Sequence, residues 1–226
     1  IESYQSYGDW NSMIELTRAL VQEAAIATYG STTVTHFDGR ESDLGGMWDQ
    51  ISLYGSVSKA VGVEVTAMTS HDELVAIAKK VGLSVDPKWI TGKLLEELFE
   101  LLVKPELKTP TFVMGFPLDT SPLVRAHRDI PGVAEKWDLY IDGFELATGY
   151  SELIDPVIQR ERLVAQAALG AKGDVEAMAL DEDFLRALEF GMPPLGGMGM
   201  GVDRLLMALT GLGIRETILF PLVKPE

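Results

Sequence analysis

The run GGMGMGVDRLL, residues 196–206, constrains the fold of this chain more than any other segment, because its periodicity changes in the middle. Glycines alternate there with Met198 and Met200, which is the spacing of a β-strand that has one face without side chains. From Val202 to Leu209 the apolar residues recur at helical spacing, and a glycine follows shortly afterwards. The segment therefore predicts a strand that leads directly into a helix.

A single arginine, Arg204, lies in the first turn of that predicted helix. A guanidinium and the free backbone N–H groups of a helix N-terminus can bind an anion together. The bare glycine face beside it would let a flat or phosphate-bearing ligand approach the backbone closely. A tightly packed corner with a solvated arginine agrees equally well with the spacing, which leaves both interpretations open.

The rest of the chain alternates between helical and strand patterns over 226 residues, without an internal repeat or a low-complexity linker. Neighbouring strand candidates are joined by short turns, which favours an α+β fold, an antiparallel sheet flanked by helices, over a doubly wound parallel one. Helices are predicted over Asn11–Ala27, Ser52–Val61, Asp72–Val81, Lys88–Val103 and Asp181–Phe190, with another from Asp155 onward, and strands over residues 1–7, Thr32–Phe37, Thr111–Gly115 and Lys136–Tyr150. The predicted apolar stripe of the first helix is Met13, Leu16, Leu20 and Ala24.

Composition argues against several classes of protein. The 19 basic and 34 acidic residues give a formal charge of −15, which argues against a broad surface for a nucleic-acid backbone. The sequence contains no cysteine, which rules out disulfides and thiolate metal sites. We find neither an apolar run as long as a membrane span nor a signal peptide, so we expect a soluble, cytoplasmic protein.

The segment Trp137–Leu153, WDLYIDGFELATGYSEL, contains a candidate metal site. Its central Asp-Gly dipeptide is a strong signal for a two-residue hairpin loop. With that loop, the predicted cross-strand pairs are Ile141 with Phe144, Tyr140 with Glu145, Leu139 with Leu146, and Asp138 with Ala147. Asp138 and Glu145 would then extend from one face, about 7–8 Å apart at the backbone. Two such carboxylates suit Mg²⁺, which also binds water and phosphate oxygens, although ordinary surface acids would show the same pattern.

A third acid, Glu152, follows in the same segment. Strict alternation places it on the face opposite Glu145, so it joins the same site only if Gly149 bends or bulges the strand. At the other end of the chain, Glu2 and Tyr4 share one face of the first predicted strand. A carboxylate beside a tyrosine hydroxyl suits an ammonium group, which has three donors and no acceptor. Surface residues of an ordinary edge strand would show the same pattern.

Four segments together resemble the catalytic domain of the class II lysyl-tRNA synthetases, and the resemblance covers essentially the whole chain. They are IESYQSYGDWNSMIELT at 1–17, PTFVMGFPLDTSPL at 110–123, WDLYIDGFELATGYSEL at 137–153 and GMPPLGGMGMGVDRLLMALTG at 191–211. The closing IRETILFPLVKP, residues 214–225, is also similar to the C-terminus of that family. The fourth segment is similar to motif 3 of all class II synthetases, whereas YSEL and the opening ESY are typical of the lysine enzymes.

The resemblance implies a role for each candidate residue. The lysine ammonium would be held by Glu2, Tyr4 and Glu152, with Tyr150 along the lysine chain and Thr148 near its carboxylate. Mg²⁺ would be bound by Asp138 and Glu145, and ATP by Glu145, Gly199, Gly201 and Arg204, of which Arg204 is the catalytic residue. The family commonly has glutamate at the position of Asp138 and asparagine at that of Thr148, so these two positions depart from its pattern.

The resemblance also implies a class II synthetase sheet that is incomplete at the N-terminus, with residues 1–226 spanning the end of motif 2 through motif 3. The anticodon-binding domain, motif 1, and the motif 2 arginine and aromatic residue would then be missing. In the full-length enzyme, expected to be a homodimer, lysine and ATP give lysyl-adenylate and then lysyl-tRNA(Lys). We therefore expect residues 1–226 alone to bind ATP weakly and to form no lysyl-tRNA. Two alternatives stay open. The chain could belong to a relative that lysylates a protein or a lipid, or it could be a non-catalytic interaction module.

Overall fold

The computed structural model describes residues 1–171, 173, 177–220 and 222, so part of the predicted C-terminal segment lies outside the described residues. The strands are β1 (Glu2–Ser6), β2 (Thr33–Thr35), β3 (Glu41–Asp43), β4 (Asp49–Ser52), β5 (Thr111–Pro117), β6 (Val133–Ile141), β7 (Phe144–Ser151) and β8 (Leu195–Met200). The helices are α1 (Trp10–Tyr29), α2 (Leu53–Val61), α3 (His71–Lys80), α4 (Thr91–Leu102), α5 (Pro156–Ala171), α6 (Glu182–Glu189), α7 (Val202–Thr210) and α8 (Ile214–Thr217). The predicted α+β architecture is confirmed, including the strand that leads directly into a helix at β8 and α7.

In the described part of the chain, six strands form one sheet in the order β1-β8-β7-β6-β5-β4. Its neighbours are antiparallel except β4 and β5, which are parallel. Strands β2 and β3 pair separately as a short hairpin. Because β1 pairs with β8, which in turn pairs with β7, residues from the two ends of the sequence meet on one surface.

The two faces of the large sheet are covered differently. Helix α1 packs on one face, where the buried residues of the sheet include Trp137, Leu139, Met198 and Met200. On the other face, α2, α3 and α4 cover the end of the sheet around β5, where the buried residues include Leu94, Leu98, Val113 and Tyr140. We call the face under α1 the closed face, and the face that these three helices cover only at one end the open face.

Helix α1 is rotated relative to its predicted orientation. Its buried residues are Met13, Ile14, Thr17, Val21 and Ala25, whereas the predicted stripe residue Leu20 is 37% exposed. The helix has apolar residues on two adjacent stripes, and periodicity alone does not decide which stripe meets the sheet. The contact with the sheet makes that choice, so the predicted stripe is wrong in part.

Most predicted helix starts are confirmed by their N-caps. The side chains of Ser70, Asp155 and Asp181 accept backbone N–H groups at the starts of α3, α5 and α6. Helix α4 is the exception, because it begins three residues later than predicted. Asp119, which is distant in sequence, accepts the N–H of Gly92 at 3.1 Å and so stabilises this later start.

The β6–β7 hairpin has the predicted turn but not the whole predicted register. The turn residues Asp142 and Gly143 have φ angles of 53° and 80°, and the pairs Ile141–Phe144 and Tyr140–Glu145 are as predicted. The predicted pairs Leu139–Leu146 and Asp138–Ala147 are wrong, because Leu139 pairs with Ala147 and Asp138 with Thr148. One residue of β7, Leu146, is therefore the extra residue of a β-bulge.

Contacts from α7 explain the position of this bulge. The Nη1 group of Arg204 donates to the carbonyl oxygen of Glu145 at 2.8 Å, and the N–H of Gly201 donates to that of Leu146 at 3.1 Å. The Leu146 side chain is buried in the core of the closed face. An extra residue reverses the faces of all later residues in a strand, so Thr148 and Tyr150 project from the same face as Asp138.

Candidate active site

Two rows of directly paired residues cross the open face from β1 to β6. The first row is Glu2, Gly199, Thr148 and Asp138, and the second is Tyr4, Gly197, Tyr150 and Lys136. Directly opposed residues in antiparallel strands project from the same face. The candidate lysine-binding residues of β1 and β7 therefore share a surface with the candidate metal ligand Asp138.

Two glycines of β8 form the floor of this surface. A Cβ atom at Gly197 would lie 2.0 Å from Glu152 Oε1 and 2.9 Å from Tyr4 Cε1. A Cβ atom at Gly199 would have no atom of the described residues within 4 Å. Gly197 thus allows Tyr4 and Glu152 to approach each other, and Gly199 leaves free space above the first row.

Glu2, Tyr4 and Glu152 come together above this floor. The Tyr4 hydroxyl donates to Glu2 Oε2 at 3.5 Å, and burial, followed by the charges of Glu2 and Glu152, raises the pKa of Tyr4. Glu152 Oε1 is buried with no hydrogen-bond partner among the described residues, and burial raises the pKa of Glu152 to about 7. A buried carboxylate without a partner is costly, so a cationic ligand at this position would be strongly stabilised.

Strict alternation put Glu152 on the other face of the sheet from Glu145, unless Gly149 bent or bulged the strand. The prediction that Gly149 is the site of the irregularity is wrong. The irregularity lies at Leu146, while Gly149 stays in register opposite Trp137. A Cβ atom at Gly149 would lie 2.3 Å from Trp137 Cζ2. That glycine is therefore required by packing on the closed face, and the bulge changes the face of the residues that follow it.

Asp138 and Glu145 lie beside two cations. Asp138 is 4% exposed; its Oδ2 atom lies 3.3 Å from Lys136 Nζ, and its Oδ1 atom has no partner among the described residues. Glu145 Oε1 accepts from Arg204 Nη1 at 3.2 Å. Burial, followed by the negative charge of Asp138, raises the pKa of Glu145 above its ordinary value, although Arg204 and Lys136 act in the opposite direction.

The donor set can be tested for a divalent cation. Among the residues that the structure describes, no group of three or more His, Cys, Asp or Glu side chains is arranged to hold a metal ion. Asp138 and Glu145 are a pair of hard oxygen donors, and the unpartnered Oδ1 of Asp138 is free to accept a cation. Mg²⁺ commonly uses one or two carboxylates and completes its octahedron with water and phosphate oxygens. The pair therefore fits Mg²⁺ bound together with a phosphate-bearing ligand.

Sequence reasoning missed Lys136, which is partly buried on the open face. Its Nζ atom lies 4.2 Å from the centre of the Phe116 ring. Burial alone would lower the pKa of Lys136, but the charges of Asp138 and Glu96 outweigh this effect and raise it. Strand alternation was the available signal, since a residue two positions before Asp138 projects from the same face.

A cavity of about 300 Å³ joins these groups, and its lining includes Glu96, Lys136, Asp138 and Glu145. A larger cavity, of about 800 Å³, lies between α4 and α5, and its lining includes Tyr54 and Arg162 but none of the predicted site residues. The unpartnered carboxylates and the glycine floor are on the open face. We therefore place the candidate active site there, and not in the larger cavity.

This combination of a mostly antiparallel sheet, a carboxylate hairpin and a glycine strand followed by Arg204 defines a class II synthetase domain. The family described as tRNA synthetases class II (D, K and N) matches residues 1–224, and the chain belongs to it. The chain is 63% identical to the lysine–tRNA ligase of Kineococcus radiotolerans over 100% of this chain and 45% of that protein. It is 54% identical to lysine–tRNA ligase 1 of Mycobacterium tuberculosis, over 100% of this chain and 46% of that protein.

A third relative carries a different name. The lysylphosphatidylglycerol biosynthesis bifunctional protein LysX of Gordonia bronchialis is 48% identical over 100% of this chain and 20% of that protein. The chain thus spans about half the length of the curated ligases that it matches, and a smaller share of LysX. Among the described helices, none is both long and apolar enough to cross a membrane.

Proposed function

We propose that this chain is the part of a lysine–tRNA ligase that binds lysine and ATP, forms lysyl-adenylate and supports transfer of lysine to tRNA(Lys). The observation that carries this assignment is the approach of Tyr4 and Glu152 over Gly197, together with the hydrogen bond from the Tyr4 hydroxyl to Glu2. Two carboxylates and a hydroxyl suit the charge and the three donors of an ammonium group. The names of the relatives support the same substrate.

In this function, Glu2 and Glu152 pair with the lysine ε-ammonium, and Tyr150 lies along the aliphatic chain. The lysine carboxylate is then directed along the open face towards Thr148, and ATP binds over Gly199 and Gly201 beside Arg204. A carboxylate oxygen attacks the α-phosphorus, and the bond to the leaving pyrophosphate breaks. The nucleophile belongs to the substrate, so the protein positions the reactants and neutralises charge.

Arg204 is the residue that we assign to the triphosphate. Its side chain is 48% exposed, and Nη1 is anchored to the carbonyl and carboxylate of Glu145. The remaining guanidinium donors suit phosphate oxygens, which they can bind in a planar, bidentate manner. Asp138 and Glu145 would hold Mg²⁺, which supplies further neutralisation of phosphate charge when it is bound.

Lysine-dependent ATP–pyrophosphate exchange tests this function. The assay compares the 226-residue chain with a chimera that adds the remaining part of the Kineococcus radiotolerans ligase. We expect exchange and lysyl-tRNA formation by the chimera, and weak ATP binding without lysyl-tRNA formation by the chain alone. Comparable lysyl-tRNA formation by both proteins would contradict the proposal that the chain is one part of a larger, dimeric enzyme.

Transfer to a lipid is the second candidate, because the match to LysX also covers the whole chain. Both candidates share lysyl-adenylate formation, so exchange does not separate them. The acceptor separates the two candidates. Labelled lysine is followed into tRNA(Lys) and into lipid, with the chimera and phosphatidylglycerol vesicles present. Lysine incorporation into lipid would favour the second candidate.

A further inference from the structure

The environment of Asp138 is asymmetric. One oxygen, Oδ2, lies 3.3 Å from Lys136 Nζ, whereas the other, Oδ1, is buried and has no partner among the described residues. Both side chains line the cavity of about 300 Å³ that Glu145 also lines. Only one oxygen of Asp138 is therefore available to a further cation.

Lys136 is itself held in place. Its ammonium group lies over the Phe116 ring, and its side chain is only 23% exposed. Glu96 of α4 lines the same cavity and is fixed by Thr120, whose hydroxyl donates to Glu96 Oε1 at 2.6 Å. A cation surrounded by a ring and two carboxylates has little freedom to leave Oδ2.

We propose that Lys136 is a positioning residue that makes Asp138 a one-oxygen ligand and thereby favours Mg²⁺ over Ca²⁺. This inference rests on the metal assignment of the proposed function. Mg²⁺ demands near-ideal octahedral geometry at short distances, whereas Ca²⁺ takes six to eight oxygens and accepts a carboxylate through both of them. By occupying Oδ2, the ammonium group denies Ca²⁺ the two-oxygen mode that suits it.

Competition against Mn²⁺ tests this inference without an activity assay. Because the pair is expected to hold the metal together with phosphate oxygens, bound Mn²⁺ is measured by electron paramagnetic resonance on the chimera in the presence of ATP, and Mg²⁺ or Ca²⁺ is titrated against it. Lys136→Met should shift the ratio of Mg²⁺ to Ca²⁺ affinity towards Ca²⁺ by about fivefold or more, which corresponds to about 1 kcal/mol. Both competitors carry two charges, so loss of the ammonium charge affects both in the same direction and the ratio reports mainly on geometry.

Three further variants complete the design. Lys136→Arg keeps a cation on Oδ2 and should retain the wild-type ratio. Lys93→Met removes a positive charge from the same cavity but leaves the Lys136 ammonium beside Asp138 Oδ2, so it should also retain the ratio. Lys136→Ser, which leaves room for water, replaces Lys136→Met if circular dichroism shows that the methionine variant does not fold.

The outcomes are separable. An unchanged ratio in folded Lys136→Met or Lys136→Ser, or an equal shift in Lys93→Met, would overturn the role of Lys136 while leaving the metal site intact. If Glu145→Gln does not reduce Mn²⁺ binding, or if no Mn²⁺ binds, the metal assignment itself fails and this inference fails with it. Lysine binding, measured separately by calorimetry, is expected to survive the substitutions at Lys136.

Discussion

Trp137 and Asp138 are neighbours in one strand, and they show how differently the two faces of the sheet are built. Trp137 is completely buried on the closed face, and its indole N–H donates to the Trp10 carbonyl at 2.8 Å. Asp138 is almost as deeply buried on the open face, but one of its oxygens has no partner in the part of the chain that the structure describes. The closed face is organised for packing, whereas the open face keeps polar groups ready for a ligand at a cost in stability.

The glycines of the two faces provide the largest expected difference. A methyl group at Gly149 would meet the Trp137 ring, so Gly149→Ala should lower the free energy of unfolding by about 3 kcal/mol. A methyl group at Gly199 meets free space, so Gly199→Ala should change it by less than about 0.5 kcal/mol. Urea denaturation measures both.

The same pair also separates folding from function. In the chimera, Gly199→Ala should reduce lysine-dependent exchange, because the new methyl group takes space that we assign to ATP. Equal destabilisation by the two alanines, or full exchange activity in Gly199→Ala, would remove the distinction between the faces.

The next largest effect concerns the unpartnered acid of the open face. Glu152→Gln should lower lysine affinity by about 100-fold, because it removes one partner of a buried charge pair. Isothermal titration calorimetry measures the affinity, with Glu15→Gln as the control. Glu15 is an exposed residue of α1 that pairs with Arg18. A similar loss in both variants would show that net charge, and not this pocket, attracts lysine.

A smaller effect is expected from pH. Because the pKa of Glu152 is raised to about 7, lysine affinity should fall by about tenfold between pH 8 and pH 6 as this carboxylate gains a proton. The folded chain binds that proton more tightly than the unfolded chain. The contribution of Glu152 to stability is therefore present below its ordinary pKa and is lost as the pH rises through about 7. In Glu152→Gln the pH dependence of lysine affinity and that of the free energy of unfolding should both become weaker. If either keeps its full size, another titrating group is responsible for it.

Thr148 offers the smallest effect. Its hydroxyl donates to the Trp137 carbonyl at 3.3 Å, within the first row of the open face. Thr148→Asn introduces the residue that the resemblance to lysyl-tRNA synthetases implies at this position, so the lysine KM of exchange in the chimera should change by less than about threefold. A loss comparable to that of Glu152→Gln would show that the threonine has a specific role in this chain.

Local patterns predicted much of this structure, because period and capping act within a few residues. The strand–helix change at Met200 and Val202 and the Asp142–Gly143 turn both follow from neighbouring residues. The bulge at Leu146 did not follow, since the groups that bind its backbone come from α7, far along the sequence.

The site divides in the same way. Alternation from Gly197 and Gly199 predicted a bare surface, and the hairpin predicted that Asp138 and Glu145 share a face. The face from which Thr148, Tyr150 and Glu152 project depends on the bulge, so strand alternation alone could not predict it. Lys136 was within reach of the alternation rule, whereas Glu96, which lines the same cavity, lies on α4, and only the tertiary structure brings the two together.

The most direct test of the central claim is the amino-acid dependence of ATP–pyrophosphate exchange by the chimera. The family includes enzymes for D, K and N, so the open face must choose among an ammonium, a carboxylate and an amide. The pocket of Glu2, Tyr4 and Glu152 predicts exchange with lysine, strongly reduced in Glu152→Gln, and none above background with aspartate or asparagine. Exchange driven by aspartate or asparagine, or lysine exchange that is unaffected by Glu152→Gln, would contradict it.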